Sequence, residues 1–290
     1  MNQLAVALAP SPDRPEPPAR APSLLDQLAA LVDCPRVEDY LCIVARSAHG
    51  VRSAQVERPT LGVVLRGRKR LHGAGYDVAL APGDVFMIMR PCRLDAFNGL
   101  DANGLYLTLT LPLCDEVLAA ARMLWAQPAG QGGPDVVAVP AQPMAAPLTA
   151  WHDAMRAGAY APARAALADL LVRVCAMGHT AMLAPPAPSV SAQVRALVAA
   201  QPQRAWHSSD VEAELGVSGA TLRRRLAAEG GTLLEAITEA RLACAMEMLY
   251  TTRWPVKTVA ARVGYRSAST FARRFALRYG IEPTRIGNGT

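Results

Sequence analysis

The chain has 290 residues, of which 51% are hydrophobic and 19% charged, with a formal net charge of +6. This is enough apolar material for a core in each of two globular domains, and it excludes a wholly disordered or collagen-like polypeptide. Charge is unevenly placed: residues 190–290 hold 14 Lys and Arg against 8 Asp and Glu, while the preceding 189 residues hold 16 of each. A basic excess confined to the last third fits phosphate binding, and it fits a solvated basic surface equally well.

The first ten residues, MNQLAVALAP, are mildly apolar, but the run lacks a basic flank and breaks at Pro10. That is too short for a spanning or secretory segment, so a cytoplasmic protein without membrane association is expected. Cys34, Cys42, Cys92, Cys114, Cys175 and Cys244 are scattered, with no CxxC pair, as reduced thiols would be. Residues 1–22 are rich in proline and read as a disordered tail. Ordered structure is predicted to begin near Ser23, where SLLDQLAALV offers an N-cap and leucines at helical spacing.

Residues 40–112 read as short strands: LCIVARS, QVERPTLGVVLRG, RKRLHGAG, YDVAL, GDVFMIM and GLYLTLTL, separated by Gly, Pro, Asn and Asp. Regular short strands with turn signals predict a small sandwich or barrel. From Leu113 the period becomes helical in CDEVLAAARMLWAQ and in a long Ala- and Leu-rich stretch that Gly158 and Pro162 divide in two. The segment LAPPAPSVS, residues 183–191, reads as a linker, since its prolines block helix and sheet. The expected domains are thus 23–182 and 192–290.

The last hundred residues contain the same pattern twice: a short amphipathic helix, a turn glycine, an N-cap serine, then a helix with one apolar stripe and one basic face. In the first copy Val211 and Leu215 mark the brace helix, Gly216 the turn, Ser218 the cap, and Leu222 and Leu226 the anchors. In the second, Val259 and Val263 are followed by Gly264, Ser267 and the anchors Phe271 and Phe275. This is the grammar of a helix-turn-helix, in which the second helix enters the major groove. Predicted recognition helices cover 219–229 and 268–278. Leu234, Ile237, Leu242, Ala245, Met248 and Leu249 predict a long buried helix between them that fixes their separation.

The segment VKTVAARVGYRSASTFARRFALRYGIEPT resembles the C-terminal signature of the AraC/XylS transcription regulators. RLACAMEML is similar to that family's linking helix and GVSGATLRRRL to its first recognition helix. The resemblance implies a DNA-binding regulator without enzymatic activity. The residues expected on DNA are Ala220, Thr221, Arg223, Arg224 and Arg225 in the first unit, and Ala268, Ser269, Ala272, Arg273 and Arg274 in the second. Arg224 and Arg273 are the expected base readers, because arginine bonds guanine bidentately, while Arg223, Arg225, Arg274 and Arg278 suit phosphates. Two departures from the family pattern stand out. Glu212 occupies a brace-helix position where a small residue is usual, and Ala220 and Ala268 stand where larger base-contacting side chains often sit. The second unit is therefore expected to keep the family geometry better than the first.

The order of strands, the phrase LAPGDVFMIM and the helices after it resemble the cupin-type N-terminal domain of the same regulators. The resemblance implies an α+β chain: a cupin-like β-barrel with flanking helices, then an all-α domain with two helix-turn-helix units. It also implies an unidentified small-molecule effector, a homodimer formed through the helices of 113–182, and RNA polymerase as a candidate partner beside double-stranded DNA. No cofactor is expected. His49 and His72 form no HxH pair, so neither a metal site nor the alternative of a cupin-type metalloenzyme is favoured. Arg66, Arg68, Lys69 and Arg70 form a basic cluster open to two readings, a grip for a carboxylate effector or a solvated hairpin. Trp125 and Trp151 are expected in a core or interface, and His152, His179 and His207 in structural roles.

Overall fold

Ser23 opens the first helix with a reciprocal cap. Its hydroxyl accepts from Asp26 N–H at 3.3 Å while the Asp26 carboxylate accepts from Ser23 N–H at 3.2 Å, which satisfies donors that a helix start leaves unpaired. The structure, a computed structural model, describes residues 23–34, 40–130, 132–184 and 189–286. The proline-rich tail and residues 185–188 of the expected linker lie outside the described residues.

After α1 (Leu24–Ala29) the described residues form nine strands: β1 (Leu41–Ala45), β2 (His49–Val56), β3 (Thr60–Arg66), β4 (Arg68–Gly73), β5 (Tyr76–Leu80), β6 (Val85–Ile88), β7 (Cys92–Gly99), β8 (Tyr106–Pro112) and β9 (Val136–Val139). They form two antiparallel sheets, in the orders β1-β8-β3-β6-β9 and β2-β7-β4-β5. With β9 set aside, this is the order of a double-sheet jelly roll. The division into an N-terminal β part and a C-terminal helical part is as expected, but the β part is two facing sheets and not one closed barrel. Sequence reading missed β7 and β9 and ran the end of β2 into β3 across Pro59.

The five-stranded sheet is covered on both sides, so β3, β6 and β8 are almost continuously buried. Its outer face packs on α1, α2 (Asp115–Trp125), α3 (Ala141–Arg156) and α4 (Tyr160–Ala176), where Trp151 lies edge-on to Tyr40 with ring centres 5.8 Å apart. Its inner face meets the second sheet through Val64, Phe86 and Ile88 against Leu71, Leu80 and Leu94. The C-terminal half consists of α5 (Val190–Ala200), α6 (Ser208–Leu215), α7 (Gly219–Ala228), α8 (Leu233–Thr251), α9 (Val256–Arg262) and α10 (Ala268–Tyr279).

Glu229, at the end of α7, ties that helix to the start of α5. Its carboxylate accepts from Val190 N–H at 2.7 Å, Ser191 N–H at 3.0 Å and the Ser189 hydroxyl at 2.9 Å. Partial burial works against its ionisation, but the hydrogen bonds from Ser191, Val190 and Ser189 outweigh it and hold the carboxyl down to about 2. Because this value is depressed, the stabilisation is complete above the ordinary glutamate range and is lost as pH falls towards 2.

Two outcomes are expected. The Cβ of Gly62→Ala would stand 2.0 Å from the Phe86 ring on the paired strand, so this change should lower stability by about 1–3 kcal/mol, read as a lower urea midpoint. Glu229→Gln should lower the melting temperature at neutral pH, and the gap from wild type should close as pH drops below about 4.

Candidate nucleic-acid interface

In the first unit α6 ends at Gly216 with φ 62°, a left-handed turn that glycine adopts freely. The Ser218 hydroxyl then caps α7 by accepting from Thr221 N–H at 3.3 Å. Leu222 and Leu226 are buried in one cluster with Val211, Val194 and Ile237. With those anchors inward, Ala220, Arg223, Arg224 and Arg225 are exposed, while Thr221 is half-buried and accepts from the Ser218 hydroxyl at 3.0 Å. Glu212 is half-buried too. The Ser208 hydroxyl donates to it at 2.6 Å, and its carboxylate occupies the space beside Gly219 where a Cβ would lie 2.6 Å from Oε1. A missing side chain on α7 thus makes room for the larger one on α6, and the acid sits at the positive end of the recognition helix.

The second unit repeats the plan with aromatic anchors. Gly264 turns the chain at φ 83° and Ser267 caps α10 through Thr270 N–H at 3.3 Å. Tyr265, Phe271, Phe275 and Tyr279 form a ladder with successive ring-centre distances of 5.4, 5.5 and 4.8 Å, in the edge and tilted arrangements that rings prefer. Ser269, Arg273 and Arg274 are exposed, whereas Ala268 and Ala272 are half-buried. Arg274 is within 3.4 Å of the Thr238 hydroxyl, to which it donates.

The two units are joined by α8, and Arg241 at its middle was not singled out by sequence reasoning. It donates to the backbone oxygens of Pro202 at 3.0 Å and Arg204 at 2.7 Å, closing the turn between α5 and α6. Gly264 lies against the same place: a Cβ there would meet the Pro202 oxygen at 2.7 Å. An arginine that caps a distant turn carries no sequence signal beyond its charge.

Two expectations change. Arg278, expected on phosphate, is largely buried and donates to the Ser53 carbonyl at 2.7 Å, with Glu239 at 3.8 Å. Leu234, expected in the buried stripe of α8, is 66% exposed. Together with Leu277, which is 85% exposed, it lines a groove of about 1220 Å³ that also contains Arg93, Arg195, Arg273 and Arg274.

The N-terminal basic cluster splits by strand alternation. Arg66, Arg68 and Arg70 point outward, Arg70 pairing with Asp77, while Lys69 points between the sheets. Its ammonium donates to Asn98 Oδ1 and to the Tyr106 hydroxyl, each at 3.0 Å, and burial pushes it down to about 8. No acidic side chain appears among its described contacts. Next to it Asn98 donates to the Tyr250 hydroxyl at 3.3 Å, and His49 Nε2 lies 2.7 Å from that hydroxyl. Burial lowers the His49 pKa despite its backbone contact with Ser47. Among the described residues, no group of three or more His, Cys, Asp or Glu is placed to hold a metal ion, and no helix is long and apolar enough to cross a membrane.

A helix-turn-helix domain family matches residues 211–288, which covers both units from the first brace helix onward. An uncharacterized HTH-type transcriptional regulator of Mycobacterium tuberculosis is 40% identical over 76 residues, 26% of this chain and 22% of that one. The virulence regulon transcriptional activator VirF of Shigella flexneri is 30% identical over 98 residues, 34% of this chain and 37% of its own. The chain therefore spans well under half the length of these curated relatives. At the level of fold the likeness is broader. Unsaturated fatty acid bound ToxT from Vibrio cholerae superposes with a TM-score of 0.58 at 13% identity, over 86% of this chain and 95% of that one. Residues 211–288 of this chain thus form a helix-turn-helix domain of the AraC type.

Proposed function

We propose that the chain is a sequence-specific DNA-binding transcription regulator in which residues 192–290 read DNA and residues 23–182 form a cupin-like regulatory domain. The observation that carries this reading is the pair of capped recognition helices, each exposing arginine opposite its apolar anchors. On α7 the contact set is Ala220, Thr221, Arg223, Arg224 and Arg225, and on α10 it is Ala268, Ser269, Ala272, Arg273 and Arg274. Arg224 and Arg273 read bases and the flanking arginines hold phosphates. A cytoplasmic homodimer, assembled through the helical layer on which Met123 and Leu124 are exposed, and contact with RNA polymerase complete the reading.

The effector in this reading is an organic carboxylate. Lys69 is a buried ammonium with neutral partners only, and a buried charge is costly until an opposite charge pairs with it. The fatty acid of the ToxT structure belongs to the same chemical class. Binding would bias the arrangement of the two halves and so change how the recognition helices meet DNA.

Arg273→Ala is expected to cost about 1–3 kcal/mol of binding and to relax preference at a single base pair. Equal weakening on every sequence would assign Arg273 to phosphate instead. For Lys69 the test uses oleate as the probe. It should raise the melting temperature of the wild type and shift its DNA affinity, and Lys69→Met should abolish both effects. The lysine also sets a pH dependence, read as the stability of wild type minus that of Lys69→Met. Below about 8 the proton is bound in both the folded and the unfolded chain and the burial penalty is fully present. Between about 8 and the ordinary lysine value of 10.5, only the unfolded chain keeps the proton. The difference should therefore rise with pH across that window.

A further inference from the structure

The second helix-turn-helix unit does not close its core alone. Val51 of β2 is buried in the same cluster as Phe271, Phe275 and Tyr279 of α10, and Ile43 of β1 packs on its edge. The strand reaches this place through a bulge: the pairing of β2 with β7 shifts between Val51 and Ala54, and Ser53 takes a φ of 52°. A bulge takes backbone groups out of the ladder. Here the Ser53 N–H donates to Asp95 Oδ1 at 2.7 Å, and the Ser53 carbonyl accepts from Arg278 of α10 at 2.7 Å. A non-glycine residue stays in the left-handed region only while its surroundings hold it there, and one of those holds comes from the recognition helix itself. Tyr250, near the end of α8, lies in the same cluster and meets His49 and Asn98 between the sheets. Arg93 of β7 adds a contact with Glu239 of α8 at 2.5 Å.

The first unit is built differently. Among the described residues its buried cluster comes wholly from α5, α6, α7 and α8. Its described ties to the sheets are polar: Arg195 of α5 pairs with Glu57 at 2.6 and 3.2 Å and reaches Glu239, which Arg93 of β7 also meets.

We propose that the N-terminal domain governs one reader only: the β1–β2 ribbon is part of the core beneath α10, so displacing it changes the hold of α10 on DNA and leaves that of α7 intact. This rests on the reading of the chain as a two-headed DNA binder with a regulatory domain, and it names which head the regulation reaches. The ligand need not touch either helix-turn-helix. It has only to move β2 or Tyr250.

The test uses the full chain with Val51→Asp, which places a charge in the shared core, and Val51→Ala, which merely thins it. Without DNA, hydrogen exchange of the α9 and α10 amides should quicken about tenfold or more in Val51→Asp and severalfold in Val51→Ala, with α5, α6 and α7 within about twofold. On a duplex selected from random sequence, hydroxyl-radical footprints assign the α10 half-site as the one that Arg273→Ala weakens. In the Val51 variants that half-site should need about tenfold more protein for protection, the α7 half staying within about twofold. Equal change in both units, or no change in either, overturns the proposal. If Val51→Asp does not fold, Val51→Ala decides alone. If the wild type protects no DNA, the DNA-binding reading fails while the exchange measurement still decides the coupling.

Discussion

Val51 crosses from the sheet into the aromatic ladder of α10, and the position of the second recognition helix depends on that contact. Phe271 and Phe275 are fully buried and Tyr279 nearly so, and side chains of this size remove roughly 150–250 Å² each from water. Helices α8 and α9 pack on the ladder with Ile281 and Ile286, and β2 adds Val51 to the same buried cluster. Burial of a valine is worth about 1.5–3 kcal/mol. Undocking would also expose ring surface and leave the Ser53 carbonyl and the Tyr250 hydroxyl without their protein partners. The sheet pair and the second unit therefore behave as one cooperative body.

The sandwich interior is divided in a way that suits this arrangement. Where the sheets face each other through Leu71, Phe86 and Leu94 the buried side chains form an apolar cluster. Towards the C-terminal half it becomes polar, with Lys69, Asn98, Tyr106 and Thr108 all buried. A lysine held among neutral groups does little for stability, and an apolar residue of similar volume would avoid the desolvation cost. The Lys69 ammonium shares Asn98 with Tyr250, so a change of charge at the lysine is felt one hydrogen bond away from the core under α10.

The helix-turn-helix units were legible because their signals are local. Glycines with left-handed φ at 216 and 264, serine caps at 218 and 267, and anchors four residues apart need no distant partner to be recognised. Contacts between the halves were not legible. Helical spacing puts Arg278 on a flank of α10, but only the folded chain brings the Ser53 carbonyl beside it, and without that the arginine reads as a phosphate contact. Leu234 fell on the apolar stripe by spacing, yet it is its neighbour Leu233 that packs on the first core, and Leu234 faces out. Among the strands, β7 was missed because the exposed Phe97 and the buried Asn98 invert the alternation that Arg93, Leu94 and Asp95 begin, and β2 was read only at its end because its bulge breaks the period of two. Lys69 could have been recognised by position: between two outward arginines on a strand, the middle residue must face in.

The long helix α8 joins the two units, but its two ends belong to different cores. Ala236, Ile237 and Ala240 are buried with the first unit, and Leu242, Ala245 and Leu249 with the second. The N-terminal end is further fixed by a reciprocal cap between Thr232 and Glu235. Arg241 sits at the junction and binds the turn between α5 and α6, so the first half of the helix is held mainly by its own unit, with Glu239 as its polar link to β7. Glu239 spans the boundary, meeting Arg93 and Arg278 at 2.5 and 3.8 Å but Arg195 only at 3.9 Å. With the Arg195–Glu57 pair at 2.6 Å, the first unit is tied to the sheets, among the described residues, by polar contacts alone, whereas the second shares its apolar core with them. A rigid helix anchored at one end by its own core gives the chain one fixed reader and one whose seat the N-terminal sheets complete.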